Sequence, residues 1–198
     1  IELCGHATLA SAAVIWRENL ENPHHPIIFD TRNGVFTVFQ TPPLIHLKFP
    51  LMPPTPVACP GELMDCIGLI PDDLAYTGKN QSDWLIELQN PHRLSMLQPD
   101  FQRLENLLTG GIIITSPDPS GVYDFISRYF DPAEGINEDP VTGSAHCCLG
   151  PYWQSRLDKN SLLACQISER GGVLHLTLFS DHIDIAGQVA FFMEGRIL

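Results

Sequence analysis

At 198 residues, with 44% hydrophobic and 17% charged content, the chain carries enough apolar material to bury a core and falls in the range of one large or two small domains. Eleven basic residues against 23 acidic give a net charge of -12, which repels phosphate backbones and anionic lipid, so neither nucleic acid nor a membrane is an expected partner. No apolar run reaches the roughly 18 residues needed to cross a bilayer, and no charged-then-apolar leader precedes the first motif, which makes a cytoplasmic protein the default expectation.

Ile1 opens without a methionine directly into Leu3-Cys4-Gly5-His6-Ala7-Thr8-Leu9-Ala10-Ser11-Ala12. From Gly5 to about Asn19, Leu9, Ala12, Ala13 and Trp16 recur at helical spacing, and Asn22-Pro23 ends the run. Ile27 to Phe29, the turn Arg32-Asn33-Gly34 and Val35 to Phe39 read as a hairpin with an Asn-Gly reversal, and Ile45 to Phe49 as a further strand. Pro50, Pro53, Pro54 and Pro56 then mark a crossover between domains. Beyond it the pattern predicts a short helix over Gly61 to Gly68, strands over Leu74 to Thr77 and Trp84 to Leu88, and a helix over Phe101 to Leu108 stopped by Gly110-Gly111. The β-branched run Gly111 to Thr115 predicts a buried strand, and Tyr123 to Tyr129 another. A meander closes the chain: Leu162 to Ile167, Val173 to Phe179, His182 to Ala186 and Val189 to Met193. Strands separated by helices give an α+β class.

Six cysteines show no paired metal spacing, and adjacent Cys147 and Cys148 fall on different faces of a helix, so reduced thiols and no metal site are expected.

Glu138-Asp139-Pro140-Val141-Thr142-Gly143-Ser144-Ala145-His146-Cys147-Cys148-Leu149-Gly150-Pro151-Tyr152-Trp153 joins an acidic turn to a helix start. Pro140 biases Asp139 away from helical geometry, and Thr142-Gly143-Ser144 supplies a small, cap-competent entry. The first N–H groups of such a helix lack internal partners and can receive a carboxylate. The opening motif repeats the device: placing Cys4 on Thr142 sets Gly5 on Gly143, His6 on Ser144 and Ala7 on Ala145. On local pattern alone, the same residues serve equally as caps of two unrelated core helices.

These motifs, with Arg170-Gly171-Gly172 and the closing Gly187-Gln188-Val189, resemble the PhzF family of phenazine-biosynthesis-like isomerases over nearly the whole chain. The resemblance implies a diaminopimelate epimerase-like fold: two pseudo-symmetric halves, each a curled sheet around a central helix, with the active site between the two helix N-termini. It divides the chain into residues 1–50 plus about 187–198, the remainder of an N-terminal half expected to be incomplete, and residues 51–186, a C-terminal half.

The resemblance also implies a cofactor-independent isomerase that transfers a proton on a small carboxylate, working as a homodimer. It places Asp139 and His6 as the catalytic candidates and Gly5, Gly143 and Ser144 as substrate-binding positions. An imidazole at a helix start suits hydrogen bonding and proton shuttling, and facing helix ends suit the stabilisation of charge left when a carbon-bound proton departs. A two-thiol racemase on this fold needs a cysteine before each glycine, whereas Thr142 holds the second position, which argues against amino-acid racemisation. The family's principal acid/base glutamate lies in an Asn-Leu-Ser-Glu-Thr-type motif that does not occur in these 198 residues. The expectation therefore carries an alternative, a catalytically inactive small-carboxylate binding or interaction module using the same cleft.

Overall fold

A computed structural model describes residues 5–31, 34–107 and 110–195. The first helix, α1 (Gly5–Arg17), buries Ala12, Ala13 and Trp16 and ends in Asn19 at φ +54°, a left-handed stop that asparagine tolerates. Strands β1 (Ile27–Thr31) and β2 (Gly34–Thr41) form the expected antiparallel hairpin; Gly34 at φ +114° supplies the conformation the reversal needs, and the closing residues 32–33 lie outside the described residues. Strand β3 (Leu44–Pro50) follows, then the two-residue β4 (Thr55–Pro56) inside the proline-rich crossover.

The next segment alternates helices and strands: α2 (Gly61–Ile67), β5 (Leu74–Lys79), β6 (Trp84–Leu88), α3 (Pro91–Met96), α4 (Phe101–Leu107), β7 (Ile112–Pro117) and β8 (Phe125–Phe130). Helix α5 (Gly143–Leu157) precedes the meander β9 (Ser161–Gln166), β10 (Gly172–Leu178) and β11 (His182–Gly187). The predicted strand over Val189 to Met193 does not form: the chain after Gly187 is irregular, Phe192 is 99% exposed, and Arg17 and Glu194 fasten the tail to α1 by an ion pair at 2.5 Å. An apolar run with no neighbouring strand to pair with leaves its backbone to water, so apolar side chains alone do not make a strand.

Among the described residues, the strands join one eleven-stranded sheet in the order β1-β2-β3-β11-β10-β9-β8-β7-β6-β5-β4. Strands β6 with β7 and β8 with β9 run parallel, and the other pairs of these strands run antiparallel. Strand β11 returns to pair with β3, Ile183 opposite Phe49 and Ile185 opposite Leu47, so strands far apart in the chain are neighbours in the sheet. On β6 to β8, Leu85, Ile113, Phe125 and Tyr129 face one core while Ile86, Ile112, Ile114 and Phe130 face another. Burial on both faces explains why Ile112-Ile113-Ile114 of β7 reads as a continuous apolar run.

The second core lies under α2 and α4 and includes Leu94 of α3. The first surrounds α5, eight of whose residues are buried, as befits a helix enclosed by the sheet. Trp153 stacks on Phe125 at 5.4 Å between ring centroids and donates its indole N–H to Thr115 Oγ1 at 3.1 Å, satisfying the polar end of a buried ring. Helix α1 contributes Ala12, Ala13 and Trp16 to the same core and touches α5, so both glycine-opened helices share one side of the sheet.

Candidate active site: a cavity between two helix starts

Phe49, on the inner face of β3, sits between the two helix starts. A Cβ on Gly5 would lie 3.0 Å from its Cζ, and a Cβ on Gly143 would lie 3.9 Å from the same atom. Gly5 and Gly143 therefore open α1 and α5 on either side of one aromatic edge, and both line a cavity of about 720 Å³. Its walls are largely apolar, formed by Leu9 from α1, Leu47 and Phe49 from β3, Leu174 from β10, Ile185 from β11 and Val189 beyond it. His6, His175 and Gln188 add polar side chains to the lining. Arg170-Gly171-Gly172 and Gly187-Gln188-Val189, which carry no chemistry by themselves, contribute Gly171, Gly172 and all three residues of the second motif to these walls. The closeness of the β10 start to the turn before α5 requires a glycine: a Cβ on Gly172 would lie 2.2 Å from Val141 Cγ2.

Of the five residues singled out from sequence, Gly5, His6 and Gly143 line this cavity. Ser144 is half-buried and belongs to the first turn of α5, next to Gly143, but is not among the lining residues. Asp139 is half-buried and is likewise not among the lining residues. Its N–H donates to Tyr129 O at 3.1 Å and its carboxylate accepts from the Thr142 hydroxyl. Thr142 occupies the N-cap position of α5 in extended conformation, yet its side chain makes no capping bond to the helix and turns to Asp139 instead. The helix's leading N–H groups are thus left for another partner.

Four residues into α5, His146 is fully buried and its Nδ1 donates to the Thr142 carbonyl at 2.7 Å. A carbonyl only accepts, so Nδ1 carries the hydrogen and Nε2 is bare, buried without a hydrogen-bond partner. Protonating Nε2 would place a charge in the core, and burial accordingly pulls the imidazole down to about 4, against the smaller opposing effect of the Thr142 carbonyl. His146 is therefore a neutral core residue. Burial likewise pushes the Cys147 and Cys148 thiols up to about 12, so neither offers a thiolate at neutral pH. Cys4 lies outside the described residues. Among the described residues, no group of three or more His, Cys, Asp or Glu side chains is placed to hold a metal ion, and no helix is long and apolar enough to cross a membrane.

Sequence reasoning missed Phe49, Leu174 and Ile185 as cavity walls. Each reads as an ordinary inward-facing strand residue, and only the curl of the sheet brings them to the helix starts.

Comparison with known proteins adds an independent line. A family model described as "Phenazine biosynthesis-like protein" matches residues 1–195. An uncharacterised isomerase of Halalkalibacterium halodurans is 47% identical over 199 residues, covering 100% of this chain and 74% of that protein. A human phenazine biosynthesis-like domain-containing protein is 37% identical over 214 residues, covering 100% of this chain and 73% of its own length. Among solved structures, a PhzC/PhzF protein from Clostridium difficile superposes with a TM-score of 0.89 at 36% identity, over 100% of this chain and 74% of the other. A PhzF-family protein of Enterococcus faecalis gives 0.85 at 33% identity, over 95% and 70%. The mixed sheet and helices described above accordingly have the diaminopimelate epimerase-like fold of those neighbours.

Proposed function

Because the chain belongs to the phenazine biosynthesis-like, or PhzC/PhzF, family of isomerases, we propose that it moves a proton on a small carboxylate-bearing substrate held in the cavity between α1 and α5. The observation that carries this reading is the convergence of Gly5 and Gly143 on one apolar-walled hollow. Unpartnered N–H groups at a helix start attract negative charge, and an apolar surround strengthens that attraction by excluding water. In this reading the amides at Gly5 and Gly143, with the Ser144 hydroxyl, hold the carboxylate, while His6 and Asp139 handle the proton. Charge left on the substrate when a carbon-bound proton departs is stabilised by the same amides, so the proposed chemistry calls for no organic cofactor.

The two helix tips then come from two lobes, residues 1–50 with 187–198 and residues 51–186, and the protein works as a cytoplasmic homodimer. A second reading, a carboxylate-binding module without turnover, draws on Asp139, which is not among the residues lining the cavity and whose carboxylate is already engaged by Thr142.

Solvent exchange separates the two. Incubated in D2O with a panel of cyclohexene- and cyclohexadiene-carboxylates, an isomerase washes deuterium into at least one of them. Asp139→Ala and His6→Ala then abolish the incorporation while leaving the thermal unfolding transition in place. Binding without incorporation by any panel member supports the receptor, and incorporation undiminished in both variants refutes the roles given to these residues.

A further inference from the structure

The turn that carries Asp139 is braced from one side by the β9–β10 connection. Gln166, the last residue of β9, is fully buried, and its position is set on both sides by strand pairing, with Ser127 on β8 and Gly172 on β10. Its side chain makes three hydrogen bonds to one short stretch. Oε1 accepts from Thr142 N at 2.9 Å, and Nε2 donates to Asp139 O at 2.7 Å and to Thr142 Oγ1 at 3.1 Å. The orientation of this amide is not a free choice. A backbone N–H can only donate and a backbone carbonyl can only accept, so the two main-chain partners determine which end is oxygen and which nitrogen.

A consequence follows for the hydroxyl. Gln166 Nε2 has hydrogens to give and no lone pair to offer, so Thr142 Oγ1 must accept from it. The hydroxyl's own hydrogen is then turned to its remaining neighbour, Asp139 Oδ2. The chain of donors runs in one direction, from Gln166 through Thr142 to the carboxylate. Bonds polarised in series in a buried setting reinforce one another. A second brace lies alongside: Ser168 Oγ donates to Pro140 O at 2.8 Å and accepts from Gly171 N at 3.0 Å. The whole turn is thus fastened to strands and not left to move as a free loop.

We propose that Gln166 and Thr142 are positioning residues for Asp139, the buried amide setting the direction of the Thr142 hydroxyl and the hydroxyl holding the carboxylate in one orientation. Thr142 stands where a two-thiol racemase of this fold would carry its second cysteine, and its task here is to orient an acid. This inference rests on the reading of Asp139 as a site carboxylate. What it adds is the machinery that keeps such a carboxylate pre-set before substrate arrives.

The test is NMR of the isotopically labelled chain, which needs no substrate. In the wild type the Thr142 hydroxyl proton is protected from solvent and shows a cross-peak to its own methyl group. In a mixture of H2O and D2O the Asp139 carboxyl carbon carries an isotope shift passed across the hydrogen bond. Gln166→Leu accelerates exchange of the hydroxyl proton about tenfold, the factor expected for loss of one buried hydrogen bond. Thr142→Ser retains the isotope shift at Asp139 and Thr142→Val loses it, so the outcome does not depend on whether the Gln166 variant folds. A wild-type hydroxyl that exchanges freely, an Asp139 carbon without an isotope shift, or a shift that survives Thr142→Val overturns the proposal. Retention of deuterium wash-in by Asp139→Ala, with the hydroxyl signature intact in the wild type, would instead sink the functional reading and spare the positioning.

Discussion

Acidification should reveal His146 as a single titrating group built into the core beneath the α5 start. Its imidazole is fully buried, donates from Nδ1 to the Thr142 carbonyl and is held down to about 4, whereas an unfolded chain binds the same proton near 6.5. A histidine depressed in the folded state contributes stability that is whole above about 6.5 and is lost as pH falls toward about 4, because in that window the unfolded chain takes up a proton that the folded one refuses. With those two limits, the linkage relation gives a loss of about 2 kcal/mol between pH 7 and pH 5. Urea unfolding of the wild type and of His146→Gln at both pH values isolates the effect, since the exposed histidines contribute equally to both proteins and cancel in the difference. The expected result is that the stability gap between the two proteins narrows, or reverses, by about 2 kcal/mol on going from pH 7 to pH 5. A gap that stays constant would mean that the imidazole takes up its proton equally in the folded and unfolded chain, and a gap that widens would mean that it is already charged in the fold; either would refute the reasoning.

Further outcomes follow from the same structure. Gly172→Ala should destabilise the protein by about 1–3 kcal/mol, because the new Cβ would meet Val141 Cγ2 at 2.2 Å and a β-branched side chain has no alternative rotamer at low cost; Val141→Ala in the same chain should return most of the loss in thermal unfolding. Buried Asp83 accepts from Gly111 N at 3.0 Å and Tyr129 OH at 3.1 Å, and burial nevertheless raises its carboxyl above the usual range. A raised carboxyl contributes stability that is present at low pH and lost as pH rises through its folded value, so Asp83→Asn should compare more favourably with the wild type at pH 7 than at pH 4 in melting temperature. Equal differences at the two pH values would contradict a carboxyl raised by burial. Cys147 and Cys148, with thiols pushed up to about 12, should resist alkylation by iodoacetamide at pH 8 in the folded protein and react only on unfolding; rapid modification under native conditions would contradict their burial.

Much of the architecture was open to reading because its signals are local. A β-branched run marks β7, a glycine at the hairpin reversal marks β1 and β2, and Asp139-Pro140 ahead of Thr142-Gly143 marks the α5 start. Helix α3 escaped notice although its cues are present: Asn90 at the N-cap accepts from His92 N at 3.1 Å and Pro91 takes the first helical position. Six residues are too few to show a helical period, so capping chemistry was the only available signal. The strand expected over Val189 to Met193 fails for the opposite reason. Its apolar run is real, but strand formation depends on a neighbour, and β11 already has β3 and β10 on its two sides.

The candidate site divides along the same line. Gly5, His6 and Gly143 belong to repeated motifs and could be named from sequence, whereas Phe49, Leu174 and Ile185 become cavity walls only through long-range strand pairing. Gln166 was invisible for a related reason. One glutamine at the end of an apolar strand carries no pattern, and its significance arises from three hydrogen bonds, two to Thr142 and one to Asp139, that only the folded chain assembles.

The central claim is that two helix starts serve one anion-binding hollow. An amide-resolved NMR titration with benzoate, a carboxylate on an apolar ring, tests it most directly. The backbone amides of Gly5 and Gly143 should shift together along a single saturation curve, with the Phe49 ring resonances moving in step. Movement of one amide without the other, or separate curves with different midpoints, would contradict a shared site.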